Sequence, residues 1–123
     1  MYKVLIIDDE APARIAISRL GHWADYHITE LYQETNGAAA LKTMREIKPQ
    51  IVFVDMQMPV MDGLEATHII RSYSKEIPII ALTAYAFEAD KELALEMGCN
   101  DFVTKPISER TLRKALDKYS TTV

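Results

Sequence analysis

Residues 3–9 read Lys-Val-Leu-Ile-Ile-Asp-Asp. Val4 to Ile7 is apolar and largely β-branched, the pattern of a strand covered on both faces, and it ends on two acids. The same layout returns along the chain. Ile51 to Val54 runs into Asp55, Pro78 to Leu82 into Thr83, and Asp101 to Thr104 into Lys105-Pro106. Leu31 to Glu34 is a weaker strand signal. Helical stretches separate these runs. The first opens at Pro12, with Ile15, Leu20 and the intervening alanines on its apolar side. The second follows Asn36, a candidate N-cap, and repeats Ala40, Leu41, Met44 and Ile47 before Pro49. Leu64 to Tyr73 and Glu88 to Met97 give two more, the latter stopped by Gly98. Ser108 caps the last, which carries Leu112, Ala115, Leu116 and Tyr119 on one stripe. His22, Trp23 and Tyr26 mark a loop with aromatic anchors.

Five strands alternating with five helices specify an α/β domain: a doubly wound, five-stranded parallel sheet in the flavodoxin-like order 2-1-3-4-5. In such sheets ligands bind outside the carboxyl ends of the strands, where the strand order reverses. That point falls between the first and third strands, which end in Asp8-Asp9 and Asp55.

Composition narrows the function. At 123 residues with no repeat or Pro/Gly/Ser-rich linker, the chain forms one domain. A formal charge of −4 argues against nucleic-acid or anionic-membrane binding by this piece itself. No apolar run is long enough to span a bilayer, the first residues lack a signal-peptide layout, and the single cysteine, Cys99, forbids an internal disulfide. A cytoplasmic setting is the simplest expectation. Cys99, beside Gly98, reads as a small packed residue rather than a reactive thiol.

Taken singly, the strand-end residues have ordinary readings: Asp8-Asp9 as a helix-capping pair, Asp55 as a loop-starting acid, Thr83 as a β-branched strand residue, Lys105 as a surface lysine. Their joint placement points further. Carboxylates crowded in one pocket repel unless a cation offsets them, and magnesium suits an all-oxygen site shared with a phosphate. His22, His27 and His68 are dispersed and offer no zinc alternative. A carboxylate can attack a phosphoryl donor and form an aspartyl phosphate, a transfer that needs mostly positioning and charge neutralisation. Lys105 supplies positive charge, Thr83 a hydroxyl, and the small Ala84 leaves room.

The stretches VLIIDDE (4–10), IVFVDMQMPVMDGLE (51–65), PIIALTA (78–84) and DFVTKPI (101–107) resemble the receiver domain of bacterial two-component response regulators. The likeness covers Lys3 to Tyr119, with the domain extending over 1–121 and residues 122–123 a tail or the start of a linker to an effector domain. The resemblance implies that Asp55 is the phosphoacceptor. It implies that Asp9 binds magnesium directly and Asp8 partly through water, with Asp55 and the main-chain carbonyl of Gln57, and that Thr83 and Lys105 bind the phosphoryl group. Pro106 matches the family's cis-proline, and Gly63 sits in the turn after the Asp55 loop. Thr83 and Phe102 become the switch pair. Phe102 lacks the hydroxyl of the tyrosine common there, so switching rests on packing, and its plain reading is a core aromatic. Gln57 and Tyr85 occupy positions that tune phosphoryl lifetime. The bulky Tyr85 suggests slow self-dephosphorylation, which an unchanged hydrolysis rate in Tyr85→Ala would contradict.

The implied partner is a sensor histidine kinase as phosphodonor, with a possible homodimer through the fourth helix, fifth strand and fifth helix. DNA would be reached only through an effector domain outside this piece. The chain opening resembles regulators with AraC-type DNA-binding domains, whereas residues 82–107 look more like hybrid-kinase receivers; a transcriptional output is the expectation. Such a switch is not a dedicated enzyme. The competing enzyme, a magnesium-dependent phosphatase with an aspartate nucleophile, needs a second aspartate two residues after the nucleophile, and Gln57 stands there. A pseudo-receiver is disfavoured by the complete set Asp8, Asp9, Asp55, Thr83 and Lys105.

Overall fold

A computed structural model of the chain describes residues 2–56, 63–84 and 88–119. The strands are β1 (Tyr2–Ile7), β2 (Ile28–Glu34), β3 (Ile51–Asp55), β4 (Ile79–Thr83) and β5 (Asp101–Thr104). The helices are α1 (Ala11–Leu20), α2 (Gly37–Ile47), α3 (Gly63–Tyr73), α4 (Glu88–Glu96) and α5 (Glu109–Tyr119), with a short 3-10 turn at Trp23–Tyr26. All four strand pairings are parallel and the sheet order is β2-β1-β3-β4-β5, as the alternation of runs requires.

Strand periodicity divides the core in two. Val4, Ile6, Phe53, Ile80, Leu82 and Val103 face one way and meet Ile17 of α1 with Leu112, Ala115 and Leu116 of α5. Leu5, Ile7, Val52, Val54, Ile79 and Ala81 face the other way and meet Met44 of α2, Ala66 and Ile70 of α3, and Ala94 of α4. Both faces of the sheet are thus covered, which explains why β1, β3 and β4 carry almost no polar residues.

Local signals place most helix ends. Asn36 Oδ1 accepts the Ala39 amide at 2.8 Å and caps α2. Ser108 Oγ accepts the Thr111 amide at 3.2 Å ahead of α5. Gly98 takes φ 115 after α4, where an L side chain would be strained. Some expectations shift. β2 begins at Ile28, three residues before the apolar signal, because its edge position leaves Thr29 and Glu30 exposed. Ile15 is 46% exposed; Ala13 and Ile17 are the buried residues of α1 instead. α3 begins at Gly63, one residue before the expected Leu64, and the turn expected ahead of it lies outside the described residues. Gln57 and Tyr85 lie outside the described residues.

The turn after α1 is tied to α5 along one helical face. His22 pairs with Glu109, Asp25 with Arg113 at 3.3 Å, and the Tyr26 hydroxyl donates to Asp117 Oδ1 at 2.6 Å. Residues 109, 113 and 117 are spaced four apart, so they share that face. Burial, then the hydrogen bond to Asp117 and its charge, push the Tyr26 phenol up from 10.0 to about 12, against the opposing charge of Arg113. A raised folded pKa stabilises the fold fully below the unfolded value and loses that contribution as pH climbs through the folded one. Stability should therefore fall between pH 10 and about 12 from this group. Tyr32 and Tyr119 are also raised, so alkaline ultraviolet titration should show several late phenols, of which Tyr26→Phe should remove the last to ionise; an unchanged final phase in the variant would assign it elsewhere.

Candidate functional site

The carboxyl ends of β1, β3 and β5 form one acidic pocket. Ile7 lies beside Val54 in the β1–β3 register, so Asp8 and Asp55 follow side by side. Asp55 continues the alternation of Ile51 and Phe53 toward the α1 and α5 face, and Lys105 continues that of Val103. Asp8 is fully buried and Asp55 is 4% exposed, whereas Asp9 and Glu10 are exposed. One carboxylate oxygen from each of Asp8, Asp9, Glu10 and Asp55 lies within 4.8 Å of the other three.

Lys105 reaches into this cluster. Its ammonium stands 2.8 Å from Asp8 Oδ2, 3.1 Å from Glu10 Oε1 and 3.6 Å from Asp55 Oδ1. Burial pulls the ammonium down, but its contacts with Asp8 and Glu10 and the charge of Asp55 outweigh burial, so its pKa is raised. It therefore stays a cation throughout the neutral range. The Lys105–Pro106 peptide is cis, and the Lys105 amide donates to the Thr83 carbonyl at 2.8 Å, which joins the ends of β4 and β5.

The turn after β1 converges the two aspartates. Asp8 Oδ1 accepts the Glu10 amide at 2.9 Å, and the Arg14 guanidinium donates to the Asp8 carbonyl at 2.8 Å. The N-cap position of α1 is Glu10 and carries no side-chain cap, so Asp8 does not cap the helix; its Oδ1 instead closes the turn that leads into it. The other, Oδ2, is buried and meets the ammonium as an ion pair, not along a hydrogen-bond direction. A buried carboxylate oxygen without a directed donor, among neighbouring acids, has lone-pair capacity for a hard cation. The donor set, all oxygen, fits magnesium.

Thr83 is 8% exposed at the end of β4, and Ala84 beyond it is exposed. Phe102 stands on the opposite face of β5 from Lys105, half-buried against the α2–α3–α4 core, with Lys91 of α4 4.6 Å from its ring centroid. Cys99 is buried, and desolvation raises its thiol pKa, with Thr67 Oγ1 3.5 Å away; the packed reading holds. Glu10 is the site residue that sequence reasoning passed over. Its signal was the unbroken run Asp8-Asp9-Glu10, whose third member received no role. Beside the pocket, Pro12, Ala13, Ala16, Ala84, Pro106 and Ile107 border a groove of about 430 Å³ between α1 and the β5–α5 connection.

The sequence matches the family model described as "Response regulator receiver domain" over residues 4–117. It is 35% identical over 123 residues to the sensor histidine kinase GacS of Pseudomonas protegens, covering 96% of this chain and 13% of that protein. The chain thus spans a small part of the length of such relatives. Among solved structures, the REC domain of AraT, a response regulator from Geobacillus stearothermophilus, superposes with TM-score 0.90 at 28% identity over 98% of this chain and 94% of that one. The receiver domain of sensor histidine kinase PA1611 from Pseudomonas aeruginosa, with magnesium coordinated in its active-site cleft, gives 0.83 at 26% identity over 98% of each chain. The Saccharomyces cerevisiae complex of the histidine phosphotransfer protein Ypd1 with the Ssk1 receiver domain gives 0.86 at 28%, over 98% of this chain and 90% of that one.

Proposed function

The chain belongs to the response regulator receiver domain family of two-component signalling, and on that premise we propose that Asp55 accepts a phosphoryl group from a phosphohistidine donor. The observation that carries this reading is the placement of the Lys105 ammonium against Asp8, Glu10 and Asp55 at the predicted crevice. A carboxylate oxygen of Asp55 attacks phosphorus; the new O–P bond forms as the donor's N–P bond breaks, and the departing imidazole nitrogen takes a proton. Lys105, held cationic, offsets charge on the phosphoryl oxygens, and the Thr83 hydroxyl donates to one of them. Asp8, Asp9 and Asp55, with the Gln57 carbonyl, are the residues that would hold magnesium. When bound, it would offset the acids and the phosphoryl charge.

The apolar groove beside the pocket, with exposed Ile15 on the same helix, suits docking of a sensor histidine kinase or its phosphotransfer domain. A relative seen in complex with a histidine phosphotransfer protein supports that partner class. The phosphoryl group adds about two negative charges. This addition biases Thr83 and Phe102, and with them the surface of α4, β5 and α5. That surface carries exposed Leu93, Leu95, Glu92 and Glu96 on α4, and exposed Arg110, Lys114 and Lys118 on α5. Two exposed leucines on α4 beside charges of both signs on α5, where Glu109 and Asp117 are exposed as well, suit a two-fold homodimer through this surface. Gln57 and Tyr85 set phosphoryl lifetime, and the domain occupies residues 1–121.

The output we propose is control of transcription through a DNA-binding domain in the same protein, in the cytoplasm. Among the described residues no helix is long and apolar enough to cross a membrane. Similarity to a GacS kinase favours a second reading, the receiver of a hybrid kinase; a kinase core in the same polypeptide would decide for it. The test is phosphotransfer: label on a phosphorylated histidine domain should move to this chain with magnesium. It should stay on the donor after chelation or with Asp55→Asn. Transfer that survives both would overturn the assignment.

A further inference from the structure

We propose that the end of the domain opposite the acidic pocket carries a second binding site, a cleft for a small amphipathic organic anion. The cleft is about 530 Å³ and lies between the C-terminal end of α2 and the connection from α3 to β4. Those segments lead into the starts of β3 and β4, and in a parallel sheet the starts lie at the edge away from Asp55 and Thr83. Its volume falls in the range of small-molecule sites.

Met44 (5% exposed), Pro49 and Ile77 make the floor, and Met44 and Ile77 belong to the core packed against α2 and α3. Arg45 and Lys48 line the same cleft, and no acid does among the described residues. In a chain of net charge −4, an apolar floor beside two cations runs against the overall balance. The complementary ligand has an apolar body and an anionic head. Glu46 and Glu76 are sequence neighbours but do not line the cleft.

The walls are pre-formed. Arg71 donates to the carbonyls of Ser74 at 3.2 Å, Ile77 at 2.7 Å and Gly98 at 2.8 Å, and to Asn100 Oδ1 at 2.6 Å. These bonds pin the α3–β4 connection. Across the cleft, Lys48 takes φ 51 and its amide closes α2 on the Met44 carbonyl at 3.0 Å. A site that is already shaped loses little ordering entropy on binding.

The occupant is a medium-chain carboxylate, and octanoate is the probe. Amide chemical shifts of the whole chain are followed during titration with sodium octanoate, octan-1-ol and octylammonium in separate arms. Octanoate should saturate and move the Met44, Lys48 and Ile77 amides, with octanol weaker and octylammonium weakest. Lys48→Gln should weaken octanoate by about threefold, the scale of one exposed ion pair. Lys48 is exposed, so its variant tests the head-group contact without disturbing the core. Octylammonium binding as well as octanoate, shifts centred on Pro12 and Ile107, an unchanged affinity in Lys48→Gln, or no saturation in the millimolar range would each overturn the proposal. Phosphorylation of Asp55 is scored separately and does not enter these outcomes.

Discussion

Lys105→Ala is expected to slow phosphoryl uptake from a small acyl phosphate by about 100-fold, the usual effect of deleting one preorganised donor to a developing oxyanion. The ammonium is the one cation in direct ion pairing with the acidic pocket among the described residues. Its side chain is 14% exposed, so little water stands ready to replace it. The same substitution leaves Asp8, fully buried, facing Asp55 without its counter-ion. The variant should therefore melt lower than the parent and recover more of that loss when magnesium is added. Lys118→Ala is the control. That lysine pairs with Asp101 at 3.5 Å on the surface, and its removal should leave uptake unchanged. Stopped-flow or timed intact-mass measurements give the rates. Near-parental uptake in Lys105→Ala would mean that the lysine only neutralises the empty pocket.

The second large effect is on stability. Phe53→Ala should cost about 3–5 kcal/mol, the range for truncating a buried aromatic. Phe53 is fully buried in the centre of β3, with its ring edge-on to Trp23 at 6.3 Å and 75°. Little around it can collapse, because Ile17, Ile80 and Leu112 are also at zero or 1% exposure. A domain stable by roughly 5–15 kcal/mol would lose a large share of its margin. Urea denaturation should show a lower midpoint with a similar slope. Phe53→Leu should lose far less, by about 1–2 kcal/mol. A loss below that for the alanine variant would contradict the packing described for this face. Since Asp55 lies two residues along the same strand, destabilisation here should also reduce the fraction of molecules able to accept a phosphoryl group.

The chain declared its central strands plainly because both faces of the sheet are covered, so Val4–Ile7 and Ile51–Val54 have no polar residues to confuse the period. β2 was legible only from Leu31, since an edge strand half-open to solvent carries Thr29 and Glu30 and looks like loop. Ile15 misled for the opposite reason: an apolar residue at helical spacing need not be buried, and here Ala13 and Ile17 take the buried face of α1 while Ile15 faces solvent. At the site, strand ends and the strand-order reversal were enough to bring Asp8, Asp9, Asp55 and Lys105 together. The partition of Lys105 was not. It lies nearer Asp8 than Asp55 and also holds Glu10, a geometry set by the turn into α1, where Asp8 Oδ1 takes the Glu10 amide. The cleft at the far end was invisible in sequence because Met44 and Ile77 come together only when α2 and the α3–β4 connection pack on one face of the sheet.

The central claim is that Asp55 is the phosphoryl acceptor, and intact mass spectrometry tests it most directly. The chain and its Asp55→Asn variant are incubated with magnesium and a small acyl phosphate, then weighed. The account predicts one phosphoryl adduct on the parent and none on the variant. No adduct on the parent, or an equal adduct on both, would contradict it.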